Sequence, residues 1–384
     1  MPARRIYLDY AAATPMDARV LAAMTPFFAE LFGNPSSVYA EGRVARKAMN
    51  DARKSVAVAL NARSDEIIFT NGVTEAINIA LQGVLRAASE KKHVVTIATE
   101  HKATLNALER EDIDVTFVSV ASIGSVAVND IVAAIRPDTA LVTMMYANNE
   151  IGTIAPIAEI GKAIAKHRRT TKSAYPLFHI DAAQAGNYLD LDVEGLHVDM
   201  MSLSAGKMGG PKASGVLYIK KGTAISPILF GGNQEHGLRP GTENVAGIVG
   251  FAIALTTAIS EREKNTAHVA ILRDALKNGI LSLAPNATVN GGMENRLPNN
   301  VNIAFHGVDG EALVMYLDER GIAASTASSC AGAQSMSHVL IALGMGIDAV
   351  KSSVRFTLGA ATTQADVDET LAALADILTI LPRI

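Results

Sequence analysis

The amino-acid sequence predicts an α/β protein: a large, doubly wound, mostly parallel sheet domain plus a smaller α+β domain. Three observations carry this. Short apolar runs at 94–97, 115–118, 140–145, 177–180, 200–203 and 216–219 have the length and continuity of parallel strands buried on both faces. Helical spacing fills several of the intervals between them, at 103–108, 128–135 and 157–166, and such alternation builds a sheet with helices on both sides. The 384 residues, 49% of them hydrophobic, exceed one compact core, and the pattern changes after residue 219. The expected division is a large domain over 15–255 and a small one formed by 1–14 with 256–384.

In chain order, residues 5–10 make an extended opening that stops at Pro15. Val20, Met24, Phe27, Phe28 and Leu31 give helical spacing over 17–32, which Gly33-Asn34-Pro35 ends as a loop. Ala45, Met49, Ala52, Val56 and Leu60 do the same over 43–60. A strand at 66–70 turns at Asn71-Gly72 into a helix reaching 85. Beyond 219 come a glycine-rich loop at 230–242 and one long helical stretch over 243–283 that bridges the domains. Strands at 300–305 and 353–358 and helices at 310–320, 337–343 and 364–380 complete the small unit.

Composition narrows the function. With 34 basic against 38 acidic side chains and a net charge of −4, no nucleic-acid partner is suggested. The single cysteine, Cys330, excludes an internal disulfide and a multi-thiolate metal site, and it fits a reducing cytoplasm. The N-terminus has no apolar core of signal-peptide length, and the apolar stretch at 246–259 reads as a buried helix, so no membrane role is expected.

The candidate chemistry gathers at strand ends. Lys207 lies in a turn of small residues between two strands, where Gly206, Gly209 and Gly210 allow a flat ligand close approach and Ser202 and Ser204 offer hydroxyls. Partial desolvation there would suit a Schiff-base amine; a solvated loop lysine is the alternative. Asp181 ends the strand at 177–180, where a carboxylate needs a cationic or protonated partner, unless it merely caps the next helix. Thr70-Asn71-Gly72-Val73-Thr74 is a strand-to-helix turn that suits a phosphate or simply a cap. His101 also follows a strand and could stack on a ring or serve structure, and Asn148 and Asn149 end another. A phosphate seat, an imidazole, a carboxylate and a lysine on one rim describe pyridoxal phosphate better than a nucleotide, and no glycine fingerprint for dinucleotides or ATP accompanies the early strands.

These residues fall within a series of motifs. Tyr7-Leu8-Asp9-Tyr10-Ala11-Ala12-Ala13-Thr14-Pro15, Gly33-Asn34-Pro35-Ser36-Ser37, Thr99-Glu100-His101-Lys102, Asn148-Asn149-Glu150-Ile151-Gly152, Asp181-Ala182-Ala183-Gln184, Gly210-Pro211-Lys212, Arg239-Pro240-Gly241-Thr242 and Ser352-Ser353-Val354-Arg355-Phe356 run in order across nearly the whole chain. In this the sequence resembles the cysteine desulfurases of the NifS/IscS type. The resemblance implies fold type I of the PLP-dependent transferases and a homodimer that converts L-cysteine to L-alanine. It implies that Lys207 holds the cofactor, Asp181 faces its pyridine nitrogen, Gln184 its hydroxyl, and His101 stacks on the ring. Thr74 with Val73, Ser204, and Thr242 of a second subunit would bind the phosphate; Asn149, beside the cofactor, and Arg355 would hold the substrate carboxylate. Cys330, in a run of small residues, would take the sulfur as a persulfide and deliver it to an acceptor such as an iron–sulfur scaffold protein. The rivals are a selenocysteine lyase or other class-V enzyme, and a degenerate acceptor-binding scaffold.

Three departures stand out. Members of this family usually carry histidine where this chain has Gly206, and often another where it has Tyr39. The segment from Cys330 to His338 is also about one residue shorter than in long-loop members.

Overall fold

A computed structural model describes residues 5–88, 90–326 and 336–381. Its strands, in chain order, are β1 (Ile6–Tyr7), β2 (Ile67–Thr70), β3 (His93–Ile97), β4 (Asp114–Val118), β5 (Thr139–Met145), β6 (Leu177–Asp181), β7 (Met200–Ser204), β8 (Gly215–Ile219), β9 (Thr288–Val289), β10 (Asn300–Ala304), β11 (Ile322–Ala323) and β12 (Ser353–Thr357). Seven of them form the main sheet, in the order β2-β8-β7-β6-β5-β3-β4.

Both faces of this sheet are covered, which is why its strands read as nearly continuous apolar runs. Successive residues still alternate between cores. Val94, Leu141 and Leu217 pack with Ile77, Leu81 and Val84 of the helix Val73–Ala87 on one side. Val95, Val142 and Val216 pack on the other with Val56 of Ala40–Ala59, Ile160 of Ile157–Thr171 and Phe251 of Val245–Ser260.

One strand departs from the expectation. Residues 216–219 were expected to run parallel, but β8 is antiparallel to both β7 and β2. The connection from β7 to β8 is too short for the crossover of a dozen or more residues that a parallel return requires, so the chain must turn back. Lys207 sits on that turn. Where strand order reverses, between β3 and β5, the carboxyl ends open onto one crevice, the place where open α/β sheets bind ligands.

A second core joins Leu8, Val301, Ile303, Val354 and Phe356 to Leu272 and Leu276 of the helix Arg262–Leu283, Leu313 of Gly310–Glu319 and Leu374 of Gln364–Ile380. Its sheet is antiparallel, ordered β12-β10-β9, with the parallel pair β1-β11 beside it. The stretch at 243–283, expected as one helix, is two, Val245–Ser260 and Arg262–Leu283, bent by 70°. Each half buries its apolar side in a different core, so the chain turns at Glu261 to reach both. The helix expected over 17–32 likewise stops at Met24, because Pro26 has no N–H to continue it and starts the short helix Pro26–Ala29 instead. Among the described residues no single helix is long and apolar enough to cross a membrane.

Candidate active site

Ala205–Lys207 form one 3₁₀ turn at the end of β7. The N-terminal segment holds it from outside: Thr14 donates to the Gly206 carbonyl through its backbone N–H at 3.0 Å and its hydroxyl at 3.1 Å. Thr14 Oγ1 in turn accepts from Gly209 N at 2.8 Å, and Lys212 Nζ donates to the Thr14 carbonyl at 2.7 Å. Asn187 Nδ2 donates to the Lys207 carbonyl at 2.7 Å. The Lys207 ammonium donates to the carbonyls of Ala11 at 2.8 Å and Ala12 at 2.5 Å. Gln184 Nε2 reaches the same Ala11 oxygen at 3.0 Å. A cleft of about 270 Å³ lies here between the two cores, lined in part by Tyr10, Gln184, Asn187, Tyr188 and Lys207.

Asp181 is the last residue of β6 and only 5% exposed. Its Oδ1 accepts from Ala183 N at 2.9 Å. Burial raises its pKa, against which the nearby charges of His101 and Lys207 work, so a protonated ring nitrogen is the kind of partner this carboxylate suits. Glu100, fully buried beyond β3, accepts from Met145 N at 2.5 Å through Oε1, while Oε2 has no hydrogen-bond partner among the described residues. Burial, and then the charge of Asp181, pushes Glu100 well above the carboxylate range. Of the two acids, Asp181 is the one whose charged form nearby His101 and Lys207 favour.

His101 caps the helix Lys102–Leu108: its Nδ1 accepts from Ala103 N at 3.0 Å, and that bond assigns the proton of the neutral ring to Nε2. Beneath, His179 bridges three strands, Nδ1 to Thr143 Oγ1 at 2.8 Å and Nε2 to Ser202 Oγ at 2.9 Å. Burial lowers its pKa to about 3, so this ring is a neutral brace under the strand ends.

Val73 and Thr74 open the helix Val73–Ala87 after Gly72, whose φ of 98° favours glycine. First-turn N–H groups of a helix have no acceptor within it and suit an anion. Gly215 draws this end toward Ser204, since it is paired with Thr70 on one side and Ser204 on the other, and a Cβ there would stand 2.6 Å from the Gly72 carbonyl carbon. Thr242 is exposed, at the end of a loop that Glu235 pins by a buried ion pair with Arg53 at 2.5 Å and an acceptor bond from Phe69 N at 2.8 Å.

In the second core's sheet, Arg355 on β12 is 2% exposed. It donates through Nη2 to Asp9 Oδ1 at 2.6 Å and through Nη1 to the Asn149 carbonyl at 3.0 Å. Its Nε is buried without an acceptor among the described residues. Asn148 organises the adjoining loop, accepting from the N–H groups of Glu150 and Ile151 at 2.8 and 3.0 Å and donating to the Thr99 carbonyl at 3.0 Å. Cys330 lies outside the described residues.

With this geometry in place, comparison with known proteins is decisive. The pattern of the family described as Aminotransferase class-V matches residues 6–370. The chain belongs to this family. It is 44% identical to "Cysteine desulfurase IscS" of Dictyoglomus turgidum (strain DSM 6724 / Z-1310) over 98% of this chain and 95% of that one. A solved "NIFS-like protein" superposes with a TM-score of 0.92 at 36% identity, covering 98% of this chain and all of the other. The structure described as "SspA in complex with cysteine" has a TM-score of 0.79 at 33% identity over 93% and 100% of the two chains. The class-V family member described here is thus of the NifS/IscS type, with the PLP-dependent fold type I and pyridoxal 5′-phosphate as its cofactor. The donor set fits that group: an amine on a turn, a buried carboxylate for a protonated nitrogen, and a helix terminus with hydroxyls for a phosphate.

The structure thus gathers Lys207, Asp181, Gln184 and His101 on one sheet edge, with Asn149 and Arg355 bonded to each other. Sequence reading passed over Asp9, Glu100, Glu150 and Thr14, although each stands inside one of the motifs. The Lys207 ammonium, placed by the sequence in a turn of small residues, is held by carbonyls of a distant segment.

Glu150 gives a measurable consequence. Burial raises its pKa from 4.5 to about 7, against the Ser337 hydrogen bond and the charges of Arg355, His101 and Lys102. Because the folded value lies above the unfolded one, its contribution to stability is complete below about pH 4.5 and is lost as pH rises through 7. Glu150→Gln should therefore gain on the parent by up to about 3 kcal/mol between pH 4.5 and 8 in urea titrations. A stability difference independent of pH would contradict the assignment.

Proposed function

We propose that this chain catalyses the PLP-dependent conversion of L-cysteine to L-alanine and retains the sulfur on Cys330 as a persulfide for an acceptor protein. The observation that carries the reading is the convergence of Lys207, Asp181 and His101 at one sheet edge, facing Arg355 across the domain junction. A structural relative described with cysteine bound supports the substrate.

Bound pyridoxal phosphate supplies an electron sink for the substrate. The protein's part follows from its own residues. Lys207, held by the carbonyls of Ala11 and Ala12, would attach the cofactor through Nζ. Asp181 would keep a pyridine nitrogen protonated, Gln184 would meet the ring hydroxyl, and His101 would stack on the ring and move protons. Val73, Thr74 and Ser204 would hold the phosphate, joined by Thr242 of a second subunit. Asn149 and Arg355 hold the substrate carboxylate, for which Arg355 offers a planar, bidentate donor set. The Cys330 thiolate then attacks the substrate sulfur: an S–S bond forms and the Cβ–S bond breaks, its electron pair remaining with carbon. A proton on that carbon completes alanine, and no outside oxidant or reductant enters. The sulfane sulfur passes from Cys330 to a thiol of the acceptor, an iron–sulfur scaffold protein being the kind of partner proposed.

The first test separates these roles. Purified protein should be yellow, and borohydride should fix the cofactor to the chain in the parent but not in Lys207→Ala. Cys330→Ala should still change its absorbance on adding cysteine yet lose persulfide and sulfide production. Parent-like sulfide release from that variant would remove Cys330 from the mechanism and favour a lyase.

Gly206 offers a second test. A Cβ here would stand 3.7 Å from Lys212 Cα, an ordinary contact, so the backbone has room for a side chain to begin at this position in Gly206→His. Tyr39, by contrast, is 57% exposed, and the atoms nearest Gly206 are those of Lys212 and Pro211. If the imidazole adds a charge-assisted bond to the phosphate, worth about 1.5–3 kcal/mol, the variant should retain cofactor roughly tenfold to hundredfold more tightly on dialysis. Equal retention would mean that the site already compensates.

The homodimer is supported by large apolar side chains left in solvent close together in the sequence: Phe28 at 65%, Phe32 at 70% and Val38 at 81% exposure. Light scattering should give the mass of two chains; a monomer would remove Thr242 from the phosphate site.

A further inference from the structure

Glu150 is a carboxylate that the scheme above does not use. It is 5% exposed and directly follows Asn149, the residue whose carbonyl Arg355 holds. Its own carbonyl accepts from Asn300 Nδ2 at 3.2 Å and Asn302 Nδ2 at 3.1 Å, so the loop is fixed to β10 of the second core. Its side chain points elsewhere: Ser337 Oγ donates to Glu150 Oε2 at 2.5 Å. Ser337 also caps the helix His338–Ala342, its Oγ accepting from Leu340 N at 3.1 Å. The next residue, His338, bonds through Nε2 to the carbonyl of Glu100 at 2.8 Å, beside His101. Ile151, Val339 and Leu340 pack together beneath.

In sequence, Ser337 follows Cys330 by a few positions, and Ser325 precedes it. Ser325 is itself tied to the same site, its N–H donating to the Arg355 carbonyl at 3.2 Å and its carbonyl accepting from Arg355 N at 2.7 Å. Of the described residues on either side of the sulfur-accepting cysteine, Ser325 is hydrogen-bonded to Arg355 of the proposed carboxylate clamp and Ser337 to Glu150, the residue next to Asn149.

We propose that Glu150 is a positioning residue for sulfur transfer: it fixes Ser337, which follows Cys330 in the sequence, to the residue next to Asn149 of the Asn149–Arg355 clamp. The inference rests on the proposed role of Cys330. The ionised carboxylate is the stronger acceptor for the Ser337 hydroxyl, so the hold tightens as Glu150 loses its proton, with an ionisation raised by burial to about 7. Among the described residues, the charged and titratable groups that act most on Glu150 are Arg355, His101 and Lys102.

The test uses the full-length, cofactor-loaded enzyme and exploits Cys330 as the sole cysteine, so that persulfide can be followed by mass at a single site. Glu150→Gln and Ser337→Ala should each slow persulfide formation roughly tenfold, the loss expected for a hydrogen bond to a charged group, while cysteine binding measured by absorbance stays within about threefold. The double variant should be no slower than either single one, and Ser337→Thr, which keeps the hydroxyl, should recover the rate. The pH profile of persulfide formation should lose an ionisation near 7 in Glu150→Gln. An unchanged rate and profile in both single variants overturns the proposal, as does equal loss of cysteine binding and persulfide formation. If Glu150→Gln does not fold, the Ser337 pair decides alone. Failure of the underlying reading looks different: Cys330→Ala would then release sulfide at the parent rate, whatever the Glu150 variants do.

Discussion

The hydrogen bonds from Thr14 to the carbonyl of Gly206 tie the reactive turn to a segment that begins in the other core. β1 pairs with β11, Asp9 bridges to Thr357, and Ala11 N donates to Thr357 Oγ1 at 2.9 Å before the chain crosses to Gly206. The same few residues supply the carbonyls that receive Lys207 and the carboxylate that pairs with Arg355. The amine and the guanidinium therefore both take their positions from one stretch of chain, residues 9–12. Main-chain groups are well suited to this, because they bring no rotamer freedom of their own.

Around that stretch the electrostatics are graded by burial. Asp181, Glu100, Glu150 and His179 are all taken from water, and in each case desolvation is the largest influence on ionisation. What differs is the company. Asp181 faces His101 and Lys207, which favour its charge; Glu150 has Ser337 and Arg355; Glu100 has a backbone N–H but no cation; His179 has only hydroxyls. Burial raises the pKa of all three carboxylates, but nearby cations oppose that rise only at Asp181 and Glu150, so Asp181 is the better placed to serve a cationic ring nitrogen.

Much of this was legible in the chain itself. Runs such as 140–145 and 177–180 are apolar throughout because both sheet faces are covered, and that periodicity determined the α/β class. Lys207, Asp181, His101 and Arg355 were marked by their place at strand ends or within ordered motifs, which local chemistry alone can specify. The tertiary structure decided what depends on distant segments meeting. That β8 runs antiparallel follows from a short connection whose direction an apolar run does not encode. That the helical stretch at 243–283 bends at Glu261 follows from two separate cores competing for its halves, a condition absent from local spacing. The partners of Lys207 are backbone carbonyls, which carry no residue-type signature, and the bond from Ser337 to Glu150 joins positions 187 apart in the chain. A sequence states which side chains are present; only the folded chain brings the acceptor to its donor, because hydrogen bonding acts over ångströms in space and not along the chain.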